Sequence, residues 1–189
     1  MPGGTLTEHV NNEGTFSCND GVRVAVGIGS GLNYLHSSLI THRDLKTDNV
    51  LLTSAIRTCA VPKISDFGYA RTCAHGHRCY TVCGTPWYMA PEVWALTLRS
   101  PVPLQGYSFP VDVWSFGVVM YAMFTGCLPF DKETPSVRAQ VLENRVSYDD
   151  LDWDHIPCIR TLVHDMLTTS TIARLSAAHV LRKLYLEAP

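Results

Sequence analysis

Apolar side chains recur every three or four residues near the start of the chain, as they do on the buried face of an amphipathic helix. This spacing predicts a helix over residues 22–38. The positions that form its apolar face are Val24, Ile28, Leu32, Leu35 and Leu39.

Three small residues in this predicted helix, Gly27, Gly29 and Gly31, resemble part of a phosphate-binding loop. The third glycine of the G-x-G-x-x-G pattern would fall on Leu32, and no strand and turn precede the run. We therefore interpret these glycines as positions where the helix packs closely against a neighbour, despite their cost in helix propensity.

A second apolar run, residues 111–124, has hardly any polar side and predicts a helix that others surround. Asp112 and Ser115 interrupt the run, which is also too short to span a bilayer. Pro110 stands where the helix should begin, a position that proline tolerates well. The run predicts a buried central helix rather than a membrane segment.

Shorter apolar runs at residues 50–52 and 61–64 flank a turn and predict two small strands. The last third of the chain predicts helices over residues 135–144, 156–167 and 176–185. Trp153 is expected to be a buried anchor between two of them. The predicted fold class is therefore mainly α.

Composition narrows the class of protein further. The chain has 189 residues, of which 46% are hydrophobic and 17% charged, as in one globular domain with a substantial core. A net charge of −2 gives no reason to expect a nucleic-acid partner. The seven cysteines are odd in number and follow no signal peptide, so we expect a reducing intracellular compartment, the cytoplasm, and no membrane association.

The chemistry is concentrated in the stretch Thr41-His42-Arg43-Asp44-Leu45-Lys46-Thr47-Asp48-Asn49, where His-Arg-Asp is followed, after four intervening residues, by Asn. Further motifs follow it in order: Asp66-Phe67-Gly68, then Gly84-Thr85-Pro86-Trp87-Tyr88-Met89-Ala90-Pro91-Glu92, then Asp112-Val113-Trp114-Ser115-Phe116-Gly117, and Arg174. In this order and at these spacings they resemble the motifs of the protein kinase family.

The resemblance implies how the chain is organised. Met1-Pro2-Gly3-Gly4-Thr5-Leu6 resembles the stretch just after the hinge between the two lobes of a kinase. We therefore expect residues 1–189 to be a partial kinase domain, the helical C-terminal lobe with small strands near the catalytic loop. The Gly-rich loop, the ATP-binding Lys and its Glu partner, which belong to the N-terminal lobe, are expected to be missing.

The resemblance also assigns roles at the predicted catalytic centre. Asp44 would accept the proton of the substrate hydroxyl, and Lys46 would contact ATP and neutralise charge on the transferred phosphoryl group. Asn49 and Asp66 would hold Mg²⁺, with Phe67 and Gly68 completing the second motif. The cofactors implied are ATP and Mg²⁺.

Two features within the resemblance favour serine and threonine over tyrosine as substrates. Lys46 follows the catalytic Asp by two residues, as is typical of Ser/Thr kinases, and the Gly84-Thr85-Pro86 run agrees with that class. Thr85 would help to hold Lys46 and Asp44 in register. The expected partners are therefore proteins that carry Ser or Thr hydroxyls.

Four further residues receive architectural or regulatory roles from the resemblance. His42 would be structural, Asp112 would accept hydrogen bonds from the catalytic-loop backbone, and Glu92 and Arg174 would form a partly buried ion pair.

Arg43 resembles the arginine of kinases that an upstream kinase switches on by phosphorylating the activation loop, because it could bind the added phosphate. Arg71 is a possible second contact. The hydroxyl candidates are Thr72, Tyr80 and Thr81, and all three could equally be exposed polar residues.

Cysteine and histidine alternate in Cys73-Ala74-His75-Gly76-His77-Arg78-Cys79, with Cys83 shortly after. Zinc binding and thiol oxidation are both open, but the spacing lacks the paired Cys-x₂₋₄-Cys of structural zinc sites, so a solvated loop is the first expectation. The acidic cluster at Asp149, Asp150, Asp152 and Asp154 has no metal-loop pattern and is interpreted as a solvated linker or a helix-capping surface.

Two functions therefore remain after the sequence is considered by itself. The first is a serine/threonine protein kinase that transfers the γ-phosphate of ATP. The alternative is a catalytically inactive, kinase-like binding or scaffold module. A small-molecule kinase is less favoured because the segment from Gly84 to Glu92 resembles the one that positions peptides.

Overall fold

The structure is a computed structural model that describes residues 1–73, 77–98, 105–130, 136–148, 153 and 156–187. Within these residues seven helices are present: α1 Leu6–Glu13, α2 Cys18–Ser37, α3 Pro91–Ala95, α4 Pro110–Thr125, α5 Val137–Leu142, α6 Pro157–Met166 and α7 Ala177–Glu187. The strands are β1 Ile40–Thr41, β2 Val50–Leu52, β3 Pro62–Ile64 and β4 Arg71–Thr72. The mainly helical class is as predicted. No helix of the described residues is long and apolar enough to cross a membrane.

Helix α4 is the centre of the core. Every residue from Val111 to Phe124 is buried, so the helix is surrounded on all sides, as the apolar run predicted. Pro110 occupies the first turn, where its missing N–H costs no hydrogen bond. At the other end Gly126 adopts the left-handed conformation (φ 74°), and its N–H donates to Ala122 O at 2.9 Å.

Helix α2 packs against α4, β3 and α7. It begins four residues before the predicted start because Ser17 caps it, accepting a hydrogen bond from Asp20 N at 3.2 Å. The predicted apolar face is buried at Val24, Ile28, Leu32 and Leu35. The prediction was wrong for Leu39, which lies beyond the helix with φ 61° and is 39% exposed.

Two antiparallel strand pairs bring two loops together. Strand β2 pairs with β3, with Val50 opposite Ile64, and β1 pairs with β4, with Ile40 opposite Thr72. The loop from β1 to β2 carries residues 42–49, and the loop from β3 to β4 carries residues 65–70. The two pairings therefore place the His-Arg-Asp and Asp-Phe-Gly motifs side by side.

The later helices lie where the apolar pattern predicted them, with shifts at their ends. Helices α6 and α7 each begin one residue after the predicted start. Helix α5 ends at Leu142, and the predicted start at Pro135 lies outside the described residues. Trp153 is 2% exposed, so the prediction of a buried anchor is confirmed. The acidic cluster at Asp149, Asp150, Asp152 and Asp154 lies outside the described residues.

Close packing of the α2 glycines is confirmed at Gly27, whereas Gly29 leaves room for a side chain. A Cβ at Gly27 would lie 2.5 Å from Pro62 Cγ, which a rigid ring cannot accommodate. A Cβ at Gly29 would meet Leu181 and Phe116 no closer than 3.5 Å, an ordinary van der Waals contact. These two positions, half a turn apart on one helix, thus differ sharply in the space available.

The difference can be tested by comparing Gly27→Ala with Gly29→Ala. Gly27→Ala should lower the free energy of unfolding by about 1–3 kcal/mol, because the new methyl group overpacks the contact with Pro62. Gly29→Ala should leave that free energy unchanged or raise it by up to about 1 kcal/mol through helix propensity. Urea unfolding followed by circular dichroism measures both, and equal values for the two variants would contradict the packing argument.

Candidate active site

Asp44 lies at the centre of a small hydrogen-bonded group and is almost fully buried, at 6% exposure. Its Oδ1 accepts hydrogen bonds from the backbone N and the Oγ1 of Thr85, both at 2.8 Å. Lys46 Nζ donates to Thr85 Oγ1 at 3.0 Å and lies 3.5 Å from Asp44 Oδ2. Thr85 therefore fixes the carboxylate and the ammonium relative to each other.

Asn49 lies on the other side of Asp44. Its amide nitrogen donates to Asp44 O at 2.8 Å and lies 3.4 Å from Asp44 Oδ2. These contacts use the nitrogen end of the side chain and leave the amide oxygen available as a ligand. The short 3₁₀ turn Thr47–Asn49 places this amide next to the carboxylate.

Asp66 is exposed and adopts the left-handed conformation, with φ 58°. Its Oδ1 accepts a hydrogen bond from Gly68 N at 3.2 Å, which closes a local turn through the Asp-Phe-Gly motif. A non-glycine residue in this region of backbone space costs of order 1–3 kcal/mol and is found most often at functional sites.

His42 is fully buried, and its side chain packs against this turn. Its Nε2 lies 2.9 Å from Ser65 O, and its ring packs edge-on against Phe67 at 5.2 Å between centroids. Phe67 itself is 49% exposed. The imidazole therefore contacts Ser65 O and the Phe67 ring rather than Asp44 Oδ1 or Oδ2.

Asp112 joins the central helix α4 to the catalytic loop. Its carboxylate is completely buried and accepts hydrogen bonds from His42 N and Arg43 N, each at 2.8 Å. His36 Nε2 lies 2.9 Å from the same carboxylate. Arg43 has φ 71°, so Asp112 holds a backbone segment in a conformation that is otherwise unfavourable.

Gly84 brings the segment that carries Thr85 up to the catalytic loop. Its φ is 105°, and a Cβ there would lie 2.7 Å from Arg43 O. Only glycine combines this backbone angle with so close an approach. The hydrogen bonds from Thr85 to Asp44 depend on that approach.

The side chain of Arg43 lies at a cavity of about 390 Å³. Its Nε donates to Tyr69 O at 2.6 Å, and its Nη1 lies 3.3 Å from Tyr107 Oη. Burial, together with the neighbouring Cys83 thiol, raises the pKa of Tyr107, so the phenol stays protonated and donates to Thr81 O at 2.6 Å. The cavity is lined by Arg43, Arg71, Thr72, Cys73, His77, Arg78, Cys79, Tyr80 and Thr81.

Glu92 and Arg174 form a two-pronged ion pair. Arg174 Nη1 and Nη2 lie 2.6 and 3.0 Å from Glu92 Oε1 and Oε2. The arginine side chain is completely buried, and its Nη1 also donates to Pro110 O at 2.9 Å. Its guanidinium carbon lies 5.2 Å from the centre of the Trp114 ring. The pair thus ties the start of α3 to the start of α4.

Two of the predicted site residues carry oxygen atoms suited to a hard cation. Mg²⁺ takes oxygen ligands from one or two protein side chains and completes its shell with water and phosphate. The amide oxygen of Asn49 and the exposed carboxylate of Asp66 match that donor set. Among the described residues no group of three or more His, Cys, Asp or Glu side chains is placed to hold a metal ion.

Several supporting residues could not be identified from the sequence pattern. His36, on the last turn of α2, contacts Asp112, which is 76 residues away in the chain. Tyr107 belongs to none of the motifs named above. Tyr88 shares a hydrogen bond with Thr47 at 2.9 Å. Each of these contacts joins segments that are distant in the chain, so no local spacing of residues in the sequence predicts it.

Comparison with known proteins places the chain among kinases. The profile described as the protein kinase domain matches residues 1–186. Serine/threonine-protein kinase H1 of Homo sapiens is 35% identical over 187 residues, which is 95% of this chain and 41% of that protein. Serine/threonine-protein kinase DCLK2 of Mus musculus is 34% identical over 185 residues, 96% of this chain and 23% of that protein. The chain thus spans about two-fifths or less of the length of these relatives.

Replacement of Asp112 tests its hold on the catalytic loop. Asp112→Asn should lower the free energy of unfolding by about 1.5–3 kcal/mol, because an amide has one acceptor atom and must turn its NH₂ group toward a backbone donor. Hydrogen exchange of the His42 and Arg43 amides should accelerate in the same variant. Asp165→Asn, at a half-exposed pair with Lys183, is the matched control and should change the stability by less than about 1 kcal/mol.

The Glu92 and Arg174 pair allows a second test. Glu92→Gln should lower the free energy of unfolding by about 3–5 kcal/mol, because it leaves a buried guanidinium without its counter-charge. Lys183→Gln, which breaks the exposed pair with Asp165, should cost less than about 1 kcal/mol. Thermal and urea unfolding of both variants measure the difference. If the Glu92→Gln protein were as stable as the Lys183→Gln protein, this would contradict the argument that a buried ion pair contributes more to stability than an exposed one.

Proposed function

The chain belongs to the protein kinase family, and we propose that it forms the catalytic lobe of an enzyme that transfers the γ-phosphate of ATP to Ser or Thr hydroxyls of proteins. The observation that carries this proposal is the fixed geometry of Asp44, Thr85 and Lys46. One carboxylate oxygen is held by two donors at 2.8 Å, while an ammonium lies 3.5 Å from the other.

This geometry suits phosphoryl transfer, which depends on alignment and charge stabilisation more than on covalent chemistry. Asp44 orients the substrate hydroxyl and accepts its proton. Lys46 Nζ stabilises negative charge on the transferred group. Because Thr85 contacts both side chains, it keeps the base and the cation at a constant separation during the reaction.

Asn49 and Asp66 are the residues that would hold Mg²⁺. The amide nitrogen of Asn49 is engaged by Asp44, so its oxygen faces away from that contact. A Mg²⁺ ion held by these two residues would offset the negative charge of the ATP phosphates. The exposed position of Asp66 leaves its second carboxylate oxygen open to such a ligand.

The preference for Ser and Thr rests on Lys46 and Thr85. Their hydrogen bond at 3.0 Å joins the two motifs that are typical of Ser/Thr kinases. The relatives H1 and DCLK2 are both named serine/threonine-protein kinases, which supports the same assignment. We propose that residues 1–189 act as the C-terminal lobe of such a kinase domain.

The cavity next to Arg43 supports regulation by an upstream kinase. Among the described residues none of Arg43, Arg71 and Arg78 forms an ion pair with a carboxylate, so three positive charges surround the cavity without compensation. A phosphate on Thr72 or Thr81 would find charge-assisted partners there. In this proposal the added phosphate orders the segment that carries Thr85.

The catalytic proposal is tested by comparing Asp44→Asn with Asp48→Asn. The native protein, recovered with an antibody against residues 131–149, and the 189-residue chain are both assayed for Mg²⁺-dependent ATP binding and for phosphate transfer to a Ser/Thr peptide. Asp44→Asn should reduce transfer at least about 10²-fold while ATP binding persists, because only the proton acceptor is lost. Asp48→Asn, an exposed neighbour in the same loop, should leave both properties unchanged.

The outcomes separate the two candidate functions. Transfer that survives Asp44→Asn would overturn the assignment of Asp44. If neither form of the protein transfers phosphate, and partner binding is unaffected by Asp44→Asn, the kinase-like binding or scaffold module becomes the better description.

A further inference from the structure

Two cysteines of the predicted activation loop face each other at close range. Cys73 Sγ and Cys79 Sγ are 3.5 Å apart, and both residues are buried, at 5% and 8% exposure. Neither forms a disulfide, and the pair is six residues apart in the chain. A disulfide bond length is about 2.05 Å, so the sulfurs need approach by only about 1.5 Å to bond.

The backbone on each side holds the two sulfurs in this position. Cys73 follows β4, and its N–H donates to Leu39 O at 2.7 Å. Cys79 exchanges two backbone hydrogen bonds with Tyr107, at 2.8 and 2.9 Å. Different parts of the fold therefore anchor the backbone of each cysteine.

The surroundings distinguish the two thiols chemically. Thr41 Oγ1 donates a hydrogen bond to Cys73 Sγ at 3.3 Å, which stabilises negative charge on that sulfur. Burial and the adjacent Cys73 sulfur raise the pKa of Cys79 to about 11, so Cys79 keeps its proton at neutral pH. We assign the first attack to Cys73, whose sulfur accepts the Thr41 hydrogen bond, with Cys79 placed 3.5 Å away to follow it.

A small oxidant can reach the pair. Both cysteines line the cavity of about 390 Å³, whose rim includes Arg43, Arg71 and Arg78. The cavity thus supplies the access that oxidation of the pair requires.

We propose that Cys73 and Cys79 form a redox-sensitive pair that hydrogen peroxide converts to an intrachain disulfide. The Cys73 thiolate attacks one peroxide oxygen, the O–O bond breaks, and a sulfenic acid and hydroxide result. Cys79 sulfur then attacks the sulfenic sulfur, the S–O bond breaks, and hydroxide leaves as the Cys79 proton is released. In total two thiols are oxidised, and one peroxide is reduced to two waters.

The cross-link would join two segments that line the cavity beside Arg43. It links the end of β4 to the backbone bridge at Tyr107, whose hydroxyl contacts Arg43 and Thr81 O. The oxidised form would thereby fix the walls of the cavity at the place where the proposed function puts an activating phosphate. The chemical pairing itself is independent of catalysis, and so is its test.

The test is a thiol map of the 189-residue chain before and after treatment with hydrogen peroxide. Remaining thiols are blocked with N-ethylmaleimide, and trypsin then cuts after Arg71, Arg78 and Arg99. Cys73 and Cys79 fall on different peptides, residues 72–78 and 79–99, so a disulfide between them joins two fragments that a reductant separates. The expected result is this joined species, lighter by two hydrogens than its reduced parts.

Variants separate Cys79 from Cys83, which lies on the same tryptic peptide. Cys79→Ser should reduce the joined species at least about tenfold, whereas Cys83→Ser and the exposed-site control Cys127→Ser should leave it unchanged. A bond that maps to Cys83, a product only between chains, or sulfonic acids without a cross-link would overturn the proposal. Stoichiometric zinc that blocks both thiols in the untreated protein would overturn it as well.

Discussion

The buried carboxylate of Asp112 is the contact on which the rest of the site depends. A charged group with no exposure is costly to desolvate unless donors surround it, and here two backbone amides and a histidine do so. In return, Asp112 holds Arg43 in a left-handed conformation that sets the direction of the chain into Asp44. The same hydrogen bonds thus offset the desolvation cost of the Asp112 carboxylate and the backbone strain at Arg43.

Asp112 can hold the catalytic loop in place because it belongs to helix α4, which is packed on all sides. Helix α4 is buried on all sides, and its Trp114 stacks on Phe130 while lying beneath the Arg174 guanidinium. One turn along from Asp112, Ser115 Oγ donates to Tyr88 O at 2.8 Å. The same rigid element therefore holds the catalytic loop with one side chain and the segment after Thr85 with another.

The sequence predicted the parts of this fold that follow from local periodicity. The apolar spacing of α2 and the all-apolar run of α4 indicated two helices and their burial. The predicted end at residue 38 is one residue beyond the observed end at Ser37, but Leu39 was wrongly assigned to the apolar face, because its side chain fits the helical spacing while the backbone has already turned. The start of that helix was also missed, since a cap at Ser17 lies outside the apolar pattern.

Contacts between distant segments were beyond such reasoning. The approach of Tyr107 to Arg43 spans 64 residues, and it involves a tyrosine that no motif distinguishes. The cysteines were visible as a cluster, but only the backbone anchors at Leu39 and Tyr107 decide which two sulfurs meet. Residue chemistry could be predicted from the motifs, whereas the partners that orient each residue required the three-dimensional structure.

The two halves of the proposed magnesium site differ in how firmly they are held. Asn49 is buried and bonded to Asp44, whereas Asp66 is exposed, and its own turn to Gly68 is the one side-chain hydrogen bond it makes among the described residues. Phe67 beside it is half exposed, with one edge against His42. Phosphoryl transfer requires precisely placed charge, and Asp66 is the less firmly held of the two proposed ligands. The exposed Asp-Phe-Gly turn thus contrasts with the buried, hydrogen-bonded group around Asp44.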